Sequence, residues 1–153
     1  MRLLFNTELC NVPAFNWRKE YSLHNKEMDN QHMKFFKTAN DACEAVHAGK
    51  GKEEIEQALT FRVEYTETHF TAEEKLMKQH EFTGYSEHCK EHQRLMEEVR
   101  ALQGKFERSE LFIKKDVVKI LRNWINDHIL TEDRKYSTYL HEKGVSLDTL
   151  WKI

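Results

Sequence analysis

His88-Cys89-Lys90-Glu91-His92-Gln93-Arg94-Leu95-Met96-Glu97-Glu98-Val99, continued by Leu102 and Phe106, carries the pattern that decides the fold. His88, His92, Leu95, Val99, Leu102 and Phe106 step by four, three, four, three and four, which is the repeat of one face of an α-helix. Two histidines four apart on that face stand one above the other and aim at one point, and the apolar residues beyond them continue the face into a core. The preceding stretch repeats the device. His69-Phe70-Thr71-Ala72-Glu73 sets an imidazole and a carboxylate four apart, and the turn at Phe82-Thr83-Gly84 separates the two stretches. One such pair alone reads better as polar contacts on a solvated face; two pairs on neighbouring helices read as a shared ligand site.

Working outward, a helix from about Lys52 to Gln79 carries Ile55, Leu59, His69, Glu73, Leu76 and Met77 on one stripe. Before it, from about Asn25, His32, Phe35, Phe36, Ala39, Cys43 and Val46 recur at helical spacing until Gly49-Lys50-Gly51 ends the run. After the third helix, Ser109 is a good N-cap for a fourth with Val117, Leu121, Trp124 and His128 inward, ending near Lys143-Gly144. Residues 1–24 hold the single proline, Pro13, with Phe15, Trp17 and Tyr21 and no sustained period, so they read as an extended arm held by aromatic anchors. Residues 145–153 read as a short tail packing back through Leu147, Leu150 and Trp151. The expectation is an all-α fold: an antiparallel up-down-up-down four-helix bundle over residues 25–144 with an extended N-terminal arm.

Composition agrees. The 153 residues make one domain, and one proline with five glycines suits helices throughout. A formal charge of −2 and a pI near 6.5, with charges dispersed along the chain, give no basic patch for nucleic acid. Cys10, Cys43 and Cys89 form neither a disulfide framework nor a thiolate zinc pattern, which suits a reducing cytoplasm. The apolar run Leu3-Leu4-Phe5 is broken by Asn6 and Glu8 before a signal core or membrane span can form, so a soluble, cytoplasmic protein is expected.

The stripes bring His32, His69, Glu73, His88, His92 and His128 together, one or two from each helix, with Asp133 or Glu132 as a further carboxylate from the fourth. Buried and unpaired, such groups each cost several kcal/mol, so the cluster makes physical sense around cations. Seven ligands exceed one tetrahedral zinc and point to two metals; imidazole and carboxylate without thiolate suit iron or manganese in near-octahedral geometry. Of about twelve octahedral positions, five histidines, two bridging carboxylates and a bridging hydroxide leave about one vacant. That vacancy is a small-ligand site. The spacing of five from His128 to Asp133 is awkward on an ideal helix, where Glu132 stands at i+4, but a widened turn at Leu130-Thr131-Glu132 would bring Asp133 round. His24, His47, His80 and His141 read as surface histidines, with His24 the one nearest in sequence to the site, and Cys89 as structural.

Trp17, Asp-Asn-Gln-His ending at His32, His69-Phe70 with Glu73-Glu74 and Met77, His88-x3-His92, and Trp124-x3-His128-Ile129-x3-Asp133 together resemble the bacteriohemerythrins, the single-domain bacterial branch of the hemerythrin family. The resemblance covers nearly the whole chain. It implies two non-haem iron ions with a bridging oxo or hydroxo group, one held by His88, His92 and His128 and the other by His32 and His69, with Glu73 and Asp133 bridging. It favours Asp133 over Glu132, places Trp124, Ile125 and Ile129 along an oxygen pocket, and implies reversible binding of dioxygen for storage, delivery or scavenging. Tyr136, three residues past Asp133, is either a hydrogen-bond donor to that carboxylate or plain packing. An oxygen carrier is the reading taken, because the site lacks the paired Glu-x-x-His motifs of carboxylate-rich di-iron oxygenases and ferritins. The alternatives are a di-iron enzyme (peroxidase, nitric oxide reduction or ferroxidase) or an oxygen or redox sensor, which would need a partner because nine residues follow Gly144.

Overall fold

A computed structural model describes residues 16–48, 52–108 and 122–145. Three long helices, α1 (Lys26–His47), α2 (Lys52–Gln79) and α3 (Tyr85–Glu107), are followed by a π-helical segment, Trp124–Asp133, that runs directly into α4, Arg134–Glu142. Among the described residues there is no strand. α1 packs on α2, α2 on α3, and α3 on the π-helical segment. Short connections between α1 and α2 and between α2 and α3 make those neighbours antiparallel, so the molecule is a four-helix bundle. Ser109, Val117, Leu121 and residues 146–153 lie outside the described residues, as do the side chains of Cys43, Val46, Ile55, Leu59 and Ile125.

Local chemistry sets the helix ends. Asn25 caps α1, its Oδ1 accepting the N–H groups of Glu27 (3.0 Å) and Met28 (3.2 Å). α2 ends in a Schellman motif. Phe82 N–H reaches the carbonyl of Met77 at 2.9 Å and Glu81 N–H that of Lys78 at 3.2 Å, with Glu81 at φ 54 in the left-handed region. The fourth helix closes in the same way on Gly144, φ 68, with Val145 N–H on the Leu140 carbonyl (3.0 Å) and Gly144 N–H on that of His141 (2.9 Å).

Two apolar clusters fill the bundle. One gathers Phe35, Phe36, Phe70, Leu95, Trp124 and Ile129 with their neighbours; the other gathers Leu23, Met28, Leu76, Met77, Tyr136 and Leu140. Candidate ligands fall where one cluster gives way to the other along a helix, as His32 does between Met28 and Phe35 and Asp133 between Ile129 and Tyr136. The arm is not wholly extended, because Lys19–Tyr21 forms one 3-10 turn. Trp17 and Tyr21 meet Phe36 edge-on and tilted at 5.7 and 5.2 Å. Beyond the turn, Asp29 accepts the Ser22 hydroxyl (2.6 Å) and the Leu23 N–H (2.8 Å), Ser137 donates to the Leu23 carbonyl (2.7 Å), and Arg134 donates to the carbonyl of Glu20. The arm is thereby tied to both α1 and α4.

A Cβ on Gly144 would meet nothing within 4 Å, so substitution there tests the left-handed backbone alone. Gly144→Ala is expected to lower stability by about 1 kcal/mol in chemical denaturation. An unchanged unfolding midpoint would show that the terminal cap of the fourth helix does not depend on glycine.

Candidate metal centre

α1 presents His32, α2 His69 and Glu73, α3 His88 and His92, and the π-helical segment His128 and Asp133. All seven side chains are 5% exposed or less. Their ligand atoms form two groups that share both carboxylates: Glu73, His88, His92, His128 and Asp133 in one, His32, His69, Glu73 and Asp133 in the other, the atoms of each lying within 4.8 Å of one another. Asp133 turns Oδ2 to His32 Nε2 (3.3 Å) and Oδ1 to His88 Nε2 (3.3 Å) and His128 Nε2 (3.1 Å). Glu73 turns Oε1 to His69 Nε2 (3.5 Å) and Oε2 to His92 Nε2 (3.2 Å) and His88 Nε2 (3.9 Å). Each carboxylate therefore spans the two groups.

The widened turn is present and longer than the sequence suggests. In a π-helix the backbone bonds run over five residues, so His128 and Asp133 stack as residues four apart do in an α-helix. Thr131 adds a bond from its hydroxyl to the Asn126 carbonyl at 3.2 Å, also across five residues. Glu132 points elsewhere, pairing with Lys135 at 2.7 Å, so the inward carboxylate is Asp133.

The donor set fits metal ions. The Nε2 atoms of His32 and His69 are 3.1 Å apart, and those of His88 and His92 are 3.0 Å apart. Neighbouring ligands about 2.1 Å from one ion and about 90° apart stand about 3.0 Å from each other. Buried atoms left without a hydrogen bond include Glu73 Oε2, both Asp133 oxygens and His128 Nε2, all at this centre. Burial alone would raise the Glu73 carboxyl, and the charge of Asp133 works in the same direction, yet His69 and His92 bring it down to about 2. Burial would also raise Asp133, but its contacts with His128, His32 and His88 hold it well below the ordinary range. Burial takes the imidazoles of His69 and His128 down to about 4, leaving them neutral with lone pairs to give. Burial would lower His32 and His92 too, but the carboxylates of Asp133 and Glu73, with Glu74 beside His92, raise both imidazoles, so the buried carboxylates draw positive charge to this centre.

Around the seven lie groups whose roles the sequence did not reveal. Gln31 Oε1 is 2.6 Å from His69 Nδ1, Glu74 Oε1 is 2.8 Å from His92 Nδ1, and the Phe70 ring stacks on His92 at 3.7 Å and 7°. Both polar groups sit beside a ligand in sequence, which was the available signal. Tyr136 does not donate to Asp133: its hydroxyl crosses to α2 and bonds Glu73 Oε1 at 2.7 Å, because the side chain projects between helices rather than along its own. Trp124 (2% exposed) and Ile129 (0%) are buried beside His128, with Phe70 and Phe35 stacked or tilted against Trp124 at 5.1 and 4.3 Å. The side chain of Ile125, the third expected pocket residue, is outside the described set. His24 and His141 are exposed and His80 and Cys89 half-buried, none of them in the two ligand groups, and the side chain of His47 lies outside the described set.

The family described as Hemerythrin HHE cation binding domain matches residues 23–140. The chain is 29% identical over 112 residues to a bacteriohemerythrin of Methylococcus capsulatus, spanning 73% of this chain and 85% of that one. It is 26% identical over 128 residues to a bacteriohemerythrin of Clostridium acetobutylicum, spanning 80% and 98%, and 25% identical over 120 residues to a myohemerythrin of Sipunculus nudus, spanning 78% and 88%.

A carboxylate that spans both groups should matter to metal retention more than an exposed one on the same bundle. Glu73→Ala is expected to retain less than half the metal of the wild type after identical reconstitution, and Asp127→Ala the full amount, by elemental analysis. Equal retention in the two variants would remove Glu73 from the ligand set.

Proposed function

The chain belongs to the hemerythrin family, and from that premise we propose that it binds dioxygen reversibly at a non-haem di-iron centre, for oxygen storage, delivery or scavenging. His88, His92 and His128 would hold one iron and His32 and His69 the other, with Glu73 and Asp133 shared between them and an oxo or hydroxo group completing the centre. The observation that carries this reading is the pair of overlapping ligand groups, three histidines against two, sharing both carboxylates. The two-histidine group has the smaller donor set. Bound iron supplies the electrons and the vacant position for a small ligand.

The chain's own side chains do the rest. The five imidazoles would donate to bound metal without adding negative charge. Phe35, Phe70, Trp124 and Ile129 pack a largely apolar wall against the histidines, and such a wall lets dioxygen in while keeping water and anions out. The Tyr136 hydroxyl satisfies one oxygen of Glu73 and so fixes that carboxylate between the helices. No helix among the described residues is long and apolar enough to cross a membrane.

The purified protein is expected to hold about two irons per chain. Its reduced form, exposed to air, should gain a charge-transfer absorption that disappears on removal of oxygen. Stoichiometric zinc, or iron with no oxygen-dependent spectrum, would overturn this reading.

A further inference from the structure

All five imidazoles turn Nε2 to the centre, but their outward nitrogens are treated differently. Nδ1 of His32, His88 and His128 is buried without a hydrogen-bond partner. His69 Nδ1 meets Gln31 Oε1, and the Gln31 amide nitrogen is already committed to Glu27 Oε1 at 3.1 Å, so the imidazole donates to a neutral oxygen. His92 Nδ1 meets Glu74 Oε1, and a carboxylate can only accept. The three-histidine group thus has a charged partner behind one ligand, and the two-histidine group a neutral one.

The Glu74 carboxylate is also reached by solvent. It lines a groove of about 410 Å³ between α2 and α3, together with Phe70, His92, Glu67 and Arg100. Its side chain is 33% exposed while the imidazole it bonds is 2% exposed. His92 is therefore held from two directions, by the stacked Phe70 ring on its face and by Glu74 on its edge.

We propose that Glu74 is a positioning residue for the three-histidine group, its carboxylate holding His92 in the tautomer and rotation that turn Nε2 inward and making that nitrogen a stronger donor. Gln31 performs the same orientation for His69 without the charge, so the two metal positions differ in how strongly they are fed as well as in how many histidines they have. A carboxylate behind a ligating imidazole raises its basicity, and loss of such a partner weakens metal binding about 10- to 100-fold. The inference rests on the reading of the seven side chains as a two-metal site.

The test uses the full chain loaded with zinc(II), which gives sharp proton spectra. In the wild type the His92 Nδ1–H should resonate downfield and exchange slowly with water. Glu74→Ala is expected to move that resonance upfield, quicken its exchange, and release zinc to a chelator about 10-fold faster or more. Glu74→Gln keeps the shape and an acceptor oxygen, so it should retain zinc to within about threefold of the wild type while its resonance moves part of the way upfield. Glu67→Ala alters the charge of the same groove without touching His92 and should behave as the wild type. The proposal is overturned by an unshifted resonance in Glu74→Gln, by wild-type zinc retention in Glu74→Ala, or by a Glu67→Ala protein as impaired as Glu74→Ala. The isosteric Gln variant decides the matter by itself if the Ala variant does not fold. Failure of the wild type to take up any metal would instead overturn the two-metal reading.

Discussion

Glu73 and Asp133 are completely buried, and a buried carboxylate is tolerated only where positive charge or several strong donors face it. That demand orders the molecule. Every helix gives the pair something: His32 from α1, His69 from α2 itself, His88 and His92 from α3, His128 from the π-helical segment, and the Tyr136 hydroxyl from α4. Metal-ligand rows work only if neighbouring helices stay in fixed register. The two apolar clusters supply that register by packing the bundle on both sides of the site. Core and centre are thus one construction, with hydrophobic burial fixing the positions at which charge must be compensated.

Imidazoles are useful in such a place only when they are aimed. Phe70 illustrates how the aim is kept. Its ring lies flat on His92 and also stacks with Trp124 at 5.1 Å, so a residue in the apolar cluster restrains a polar one next to it. The arm contributes from further away. Leu23 is 2% exposed in the second cluster, and its carbonyl takes the Ser137 hydroxyl one residue past Tyr136, so the arm steadies the helix turn from which Glu73 receives its hydrogen bond.

The helices and the seven inward groups were legible because they obey a period. His88, His92, Leu95, Leu102 and Phe106 are buried and Val99 is half-buried against the first cluster, as their spacing requires, and the ends of α2 and α4 fall where the turn residues put them. Periodicity places a side chain on a face; it does not say which neighbour that face meets. Gln31 adjoins His32 in the chain but serves His69 on the next helix, and Tyr136 adjoins Asp133 but serves Glu73. The cap of α2 was hidden for a different reason. Its left-handed position is occupied by Glu81 and not by glycine, so the visible signal was the turn that follows it. The contribution of Glu74 was hidden by its being next to a ligand, where a second carboxylate reads as a solvated neighbour.

The π-helical segment has a consequence for what the gene can tolerate. Backbone bonds over five residues accommodate length that an α-helix would not, and such segments are rare. Deleting one codon between His128 and Asp133 would let an ordinary α-helix form, with the two side chains now four apart and still on one face. Tyr136, Ser137 and Leu140, now buried, would still face the core, and the anchors of Glu73 and of the arm would stay with them. Exposed positions such as Asn126, Asp127 and Thr131 can change identity without disturbing that register. Across this stretch, then, a length difference of one residue is absorbed by exchanging π for α winding, and drift by single-codon deletion stays open beside drift by substitution.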